Sequence, residues 1–283
     1  MGKRYIMRNR KRADLPEGAD NPLSAAVTSR DQSVVQMATE AVKHKQCRLA
    51  FQPVMQAHPP HGVAFYEGFI RVLDETGRVI PAREFMPQVE NTPIGRDLDC
   101  IALDMGLRTL IRNPGIRLSI NMSARSIGYA QWSRVLDRFL KKDASLGERL
   151  ILEISEGSAM QVPELVVDFM DRQQARGIAF ALDDFGASNF SFRHFREFLF
   201  DAAKIDGQFV RGISGNSDNQ ALVRALIAVA REFEILVTAE SVETAEDASF
   251  LIANGVDCLQ GFLYGAPSVT PPWKSENPAK TGS

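Results

Sequence analysis

The sequence predicts an α/β fold, a (β/α)8-like barrel, and three observations predict it. From Arg117 onward, short runs rich in Ile, Leu, Val and Phe alternate with longer stretches of helical period, the rhythm of a parallel sheet joined by crossover helices. Five or more such units exceed half a barrel, which favours closure over an open sheet. Each apolar run also finishes on a charged or hydrogen-bonding side chain, although a strand buried on both faces should be apolar throughout.

The elements follow in order. Residues 1–32 are polar and broken by Pro16, Gly18 and Pro22, so they read as a tail, with a solvated basic excess at Lys3, Arg4, Arg8, Arg10, Lys11 and Arg12. An entry helix is expected next, since Asp31 or Ser33 can cap it and Val34, Ala38, Ala41 and Val42 recur at helical spacing. Strand candidates stand at 48–53 and 64–72, followed by a helix at 97–112. Strands are then expected near 117–121, 149–155, 178–183, 202–206, 235–240 and 257–260, separated by helices near 131–142, 163–176, 217–232 and 244–254. The folded domain is read as 33–267, and 268–283 as a proline-rich second tail.

Bulk composition narrows the function. A chain of 283 residues, 45% apolar, can bury a full core. A net charge of -2 argues against a surface built to embrace DNA, so a polyanionic ligand must meet a local site. Cys47, Cys100 and Cys258 share no metal-type spacing and suit a reducing compartment as small core residues. No apolar run reaches the roughly 18 to 20 residues of a membrane span and no signal peptide is evident, so a cytoplasmic protein is expected.

The run-ending residues carry the chemistry. They are Asn121, Glu153, the pair Asp183 and Asp184, Asp206, Glu240 and Gln260. Parallel strands would deliver them to one face, where barrel active sites lie. Carboxylates meeting there repel one another unless a cation neutralises them. An oxygen-only set with no His or Cys selects a hard ion, Mg²⁺ or Mn²⁺, and speaks against zinc. The adjacent Asp183 and Asp184 suggest more than one ion, an arrangement suited to phosphodiester hydrolysis. Helix capping is the alternative reading for any single acid; it explains the whole set poorly, since Glu is a weak N-cap.

The segments Phe51-Gln52-Pro53, Glu67-Gly68-Phe69-Ile70-Arg71, Asn121-Met122-Ser123-Ala124-Arg125, Glu153-Ile154-Ser155-Glu156, Asp183-Asp184-Phe185-Gly186, Lys204-Ile205-Asp206, Glu240-Ser241-Val242-Glu243-Thr244 and Gln260-Gly261-Phe262 together resemble the ordered signature of EAL domains. The resemblance spans about 48 to 267. It implies a modified TIM-like barrel with one antiparallel strand, and hydrolysis of cyclic di-GMP to linear pGpG with Mg²⁺ or Mn²⁺. Glu67, Asn121, Glu153 and Asp183 would then hold one metal, and Asp183, Asp184 and either Asp206 or Glu240 the other. Lys204 would orient the attacking water or steady phosphate charge, with Glu240 as metal ligand or general base. Arg71 would grip a phosphate, Gln52 and Gln260 would seat the nucleotide, and Glu243 would brace the loop after Asp184. A homodimer also follows from the resemblance, and since no sensory or cyclase segment is evident in the sequence, a regulatory protein partner is expected.

Three departures accompany the match. Gly68 and Phe69 replace the Ala and Leu of the signature tripeptide, Ala187-Ser188-Asn189-Phe190-Ser191 replaces the usual Thr-Gly-Tyr-Ser-Ser, and Ser241 replaces a Gly. They keep open a second reading, a cyclic di-GMP receptor or interaction module of weak or absent activity. A third reading is a barrel hydrolase for another phosphate ester.

Overall fold

A computed structural model describes residues 22–187 and 197–274. Its strands are Cys47–Gln56 (β1), Val63–Leu73 (β2), Val79–Pro81 (β3), Leu118–Asn121 (β4), Leu150–Ser155 (β5), Ala179–Phe185 (β6), Ala202–Ile205 (β7), Leu236–Ala239 (β8) and Cys258–Leu259 (β9). β1 pairs with both β2 and β9, which closes eight strands into a barrel and leaves β3 outside on β2. From β2 through β9 the barrel neighbours run parallel, whereas β1 is antiparallel to both of its partners. The reversal has a local cause: residues 57–62 join β1 to β2, and so short a link cannot carry the chain back for a parallel return.

Helices Pro93–Arg112, Ala130–Leu140, Pro163–Gln174, Ser217–Glu232 and Ala245–Asn254 lie between the strands. The helix expected at 97–112 starts earlier because Pro93 occupies its first turn, where a missing N–H costs nothing. β3 escapes the sequence reading because three residues carry no period. The fully buried interior is aliphatic and aromatic, with Leu118, Leu152, Ile154, Phe180, Leu182, Ile205, Val237 and Ala239 all at 0% exposure.

Two terminal expectations change. The entry helix spans Pro22–Lys43, so Asp31 and Ser33 lie inside it and do not cap it. Tertiary packing sustains it, since Ala38 and Ala41 sit in a satellite core with Phe85, Val89 and Leu98. Residues 268–273, which composition reads as the start of a tail, are docked on the barrel. Ser268 exchanges backbone hydrogen bonds with Phe51 at 2.8 and 3.0 Å. The Trp273 ring meets Phe51 and Tyr66 edge-on at 4.8 and 4.7 Å, and its indole N–H donates to Asn113 Oδ1 at 2.9 Å. One aromatic side chain thus offsets the poor helix and strand propensity of its proline-rich surroundings. Among the described residues, no helix is long and apolar enough to cross a membrane.

Candidate active site

A cavity of about 560 Å³ opens at the end of the barrel where the parallel strands finish. Gln52, Glu67, Arg71, Asn121, Asp183, Asp184, Glu240, Glu243 and Gln260 line it. Glu153 and Lys204 lie beneath, each 1% exposed. Strand register explains the convergence. Gln52 stands opposite Glu67 across β1 and β2, and Asn121 stands opposite Glu153 across β4 and β5, so each pair shares a face.

The Lys204 ammonium sits at the centre. Its Nζ lies 2.8 Å from Glu67 Oε2, 2.9 Å from Glu153 Oε2, 3.2 Å from Asp183 Oδ1 and 2.5 Å from Glu240 Oε1. Glu67 is the most fully engaged acid. Its Oε1 accepts from the Asn121 amide at 2.7 Å, and its Oε2 accepts from Gln260 at 2.7 Å as well as from Lys204. Gln260 also donates to Gln52 Oε1 at 3.2 Å, and Gln52 in turn donates to the Gly265 carbonyl at 2.8 Å.

Charge in this dry setting redistributes protons. Burial opposes ionisation of Glu67, but Lys204, Gln260 and Asn121 outweigh it and hold the carboxyl below its usual range. Burial and the neighbouring Glu67 push Glu153 well up. Glu240 is pushed up to about 8, chiefly by burial and against the pull of Lys204. Burial likewise raises Asp184 to about 6, helped by Asp183 and Asp206. Lys204 would lose its proton to burial alone, yet the acids around it hold its pKa well above the ordinary value.

The acceptors left over fit a hard cation. Glu153 Oε1 and Gln260 Oε1 are buried and make no hydrogen bond, a costly state that an oxygen-seeking ion relieves. Among the described residues no three carboxylates are already drawn into a cage of metal-ligand dimensions. The ammonium is the group about which they gather.

The remaining expected residues are placed as follows. Asp206 caps the single turn Gly207–Val210, its Oδ1 accepting from Gln208 N–H at 2.6 Å; here the capping alternative holds, with Asp184 as close neighbour. The half-buried Arg71 extends over the Phe69 ring at 5.3 Å. Glu243 is exposed and pairs with Arg211 at 3.8 Å. Of the altered loop, only Ala187 belongs to the described residues; Ser188, Asn189, Phe190 and Ser191 lie outside them.

Two of the departures acquire physical reasons. A methyl group at Gly68 would stand 2.8 Å from Ile120 Cδ1, so Ile120 fills the room an alanine would take. Ser241 holds φ 54°, a left-handed conformation in which glycine is unstrained, and its hydroxyl accepts from Arg211 at 3.1 Å. Asp184 shares that strain at φ 58°, as functional residues often do.

Two supporting residues escaped the sequence reading. The fully buried Glu156 accepts from Gly186 N–H at 2.8 Å and so holds the start of the loop after Asp184. Its place in the Glu153-Ile154-Ser155-Glu156 segment was the available signal. Asp99, buried in the helix 93–112, accepts from Ser123 N–H at 3.0 Å and from the Ser126 hydroxyl at 2.6 Å, which anchors the turn after Asn121. Nothing in its sequence neighbourhood marks it.

Comparison with known proteins agrees with this geometry. The family described as EAL domain matches residues 35–267. The chain is 28% identical over 232 residues to the cyclic di-GMP phosphodiesterase PdeF of Escherichia coli K12, covering 81% of this chain and 31% of that protein. The solved structure of the PaMucR phosphodiesterase in complex with c-di-GMP superposes with a TM-score of 0.73 at 26% identity, covering 86% of this chain and 99% of that one. The c-di-GMP-bound EAL domain of FimX from Pseudomonas aeruginosa gives 0.74 at 25% identity, covering 83% and 96%. The chain spans about a third of the length of the curated relatives it matches.

Proposed function

Because the chain belongs to the EAL domain family, we propose that it hydrolyses cyclic di-GMP to linear pGpG at this cavity with Mg²⁺ or Mn²⁺, using two ions. The observation that carries the proposal is the meeting of Glu67, Glu153, Asp183 and Glu240 around one buried point. Bound cations supply an acidified water and charge neutralisation at the leaving oxygen. Glu67, Asn121, Glu153 and Asp183 would hold one ion, and Asp183 and Asp184 with Asp206 or Glu240 the other. Lys204 donates from the floor of the site toward the attacking water or a phosphate oxygen, charge it can place only because the acids keep it protonated. Glu240 serves either as a further ligand or as the base that receives the water's proton. Arg71 pairs with phosphate, and the chain of bonds from Gln260 through Gln52 to Gly265 stiffens the wall on which the nucleotide is seated.

Incubation with cyclic di-GMP and Mn²⁺ or Mg²⁺, followed by chromatography, tests this. Metal-dependent appearance of pGpG is expected, with loss of at least a hundredfold in Glu67→Ala and in Asp183→Ala. A second reading, nucleotide binding without turnover, draws support from Lys204, whose ammonium sits among the four acids where an ion would have to compete with it. Tight binding with no pGpG under either metal would select it. The proposal places the protein in the cytoplasm, in keeping with cysteines that form no disulfide, and as a homodimer open to a regulatory partner.

A further inference from the structure

The cavity has an acidic pole and a basic one, and of the basic one only Arg71 has a ligand so far. β3 pairs with β2 so that Pro81 stands directly across from Arg71. The chain then turns through Ala82–Glu84, which brings Arg83 to the cavity lining beside Arg71. Arg71 feels both charges, since the Arg83 guanidinium lowers its pKa and the Glu67 carboxylate raises it.

Neither arginine is neutralised. Among the described residues Arg71 makes its hydrogen bond to its neighbour's carbonyl, Ile70 O at 3.0 Å, and its ring contact with Phe69. Glu67, the acid it senses, is already committed to Lys204, Gln260 and Asn121. Among the described residues no side-chain hydrogen bond or ion pair engages Arg83. Two adjacent cations on a cavity wall, one half-buried, cost free energy until an anion arrives. A neutral base edge offers hydrogen bonds but no compensating charge, whereas a phosphodiester offers both.

From this geometry we propose that Arg83 is a substrate-binding residue which, together with Arg71, receives the second phosphate of a cyclic dinucleotide, the one that is not cut. The proposal rests on the reading of the acidic pole as the place where the first phosphate is hydrolysed. It makes Arg83 a determinant of specificity: the site selects ligands that carry two phosphodiesters, one for each pole. β3, the strand outside the barrel, thereby acquires a task, because it sets the distance between Arg83 and Arg71.

Calorimetry with Ca²⁺, a hard ion that takes oxygen ligands but acidifies water poorly, tests the inference with two ligands. Cyclic di-GMP carries two guanines and two phosphodiesters, whereas the linear dinucleoside monophosphate GpG carries the same guanines and one. Wild-type protein is expected to bind cyclic di-GMP at least tenfold more tightly than GpG. Arg83→Ala should lose about tenfold for cyclic di-GMP and less than twofold for GpG, Arg83→Glu should lose more, and Arg83→Lys should recover part of the affinity. Arg83 is exposed, so circular dichroism of the variants should match wild type. Equal losses for both ligands would mean that Arg83 reads a base or shapes the wall, and no loss would mean that it faces solvent; either overturns the proposal. Failure of the wild-type protein to bind cyclic di-GMP under this condition would sink the underlying reading, a result visible before any variant is made.

Discussion

Asp99 shows how one buried carboxyl at the cavity wall can serve a site through the turn it anchors. Burial pushes its pKa up to about 7, against the pull of the Ser126 hydroxyl and the Ser123 N–H. In the unfolded chain the group titrates near 3.8. Below that value both states are protonated and Asp99 contributes nothing to pH dependence. Between about pH 4 and pH 7 the unfolded state releases the proton first, so stability falls as pH rises; above pH 7 the loss is complete. A difference of this size is worth no more than about 4 kcal/mol. Asp99→Asn should flatten that slope and be the more stable protein at pH 8, as read by urea unfolding at pH 5 and pH 8. Parallel pH dependences in the two proteins would disprove the assignment. Sequence reasoning could name Glu153, Asp183 and Glu240 because each ends or interrupts an apolar run, and Glu67 through the family resemblance. Asp99 sits on a helix where an acid is ordinary, and only its packing beneath Ser123 and Ser126 singles it out.

At the scale of the element, the contact between β2 and β4 shows how the signature tripeptide tolerates change. Gly68 stands opposite Ile120 in register, and the Ile120 Cδ1 methyl occupies the volume a residue-68 methyl would need. Gly68→Ala is expected to cost about 1 kcal/mol, the overpacking penalty offset in part by a stiffer unfolded chain. Ile120→Val removes the offending methyl, so the double variant should recover most of the loss, a coupling of about 1 kcal/mol in a double-mutant cycle. Additive losses would mean that the two side chains do not compete for space. The strands that carry the site were legible because fully buried parallel strands read as unbroken apolar runs. β3 and the docked segment 268–273 were not, since three residues have no period and Trp273 is anchored by partners far away in sequence.

The whole barrel is tied together at Lys204, which faces acids from β2, β5 and β6 and from the residue that follows β8. Removing that charge leaves buried carboxylates facing one another, a loss on the order of 3 to 5 kcal/mol. Lys204→Met should therefore melt about 10 °C lower in EDTA. Mn²⁺ should raise the melting temperature of the variant more than that of wild type, because the ion supplies the missing positive charge. Equal responses to Mn²⁺ would refute the idea that ammonium and metal answer the same electrostatic demand.

The sequence by itself determined that a parallel barrel forms and which acids lie at its open end, since strand period and run-ending polarity are local properties of the chain. It also implied, through the family resemblance, that one strand is reversed; that the reversed strand is β1 came from the pairing. Only the tertiary structure decided which group the acids surround, that Glu156 holds the loop after Asp184, and that Arg83 lines the same cavity as Arg71. Those facts depend on distances between residues tens to hundreds of positions apart, and no local pattern encodes such distances.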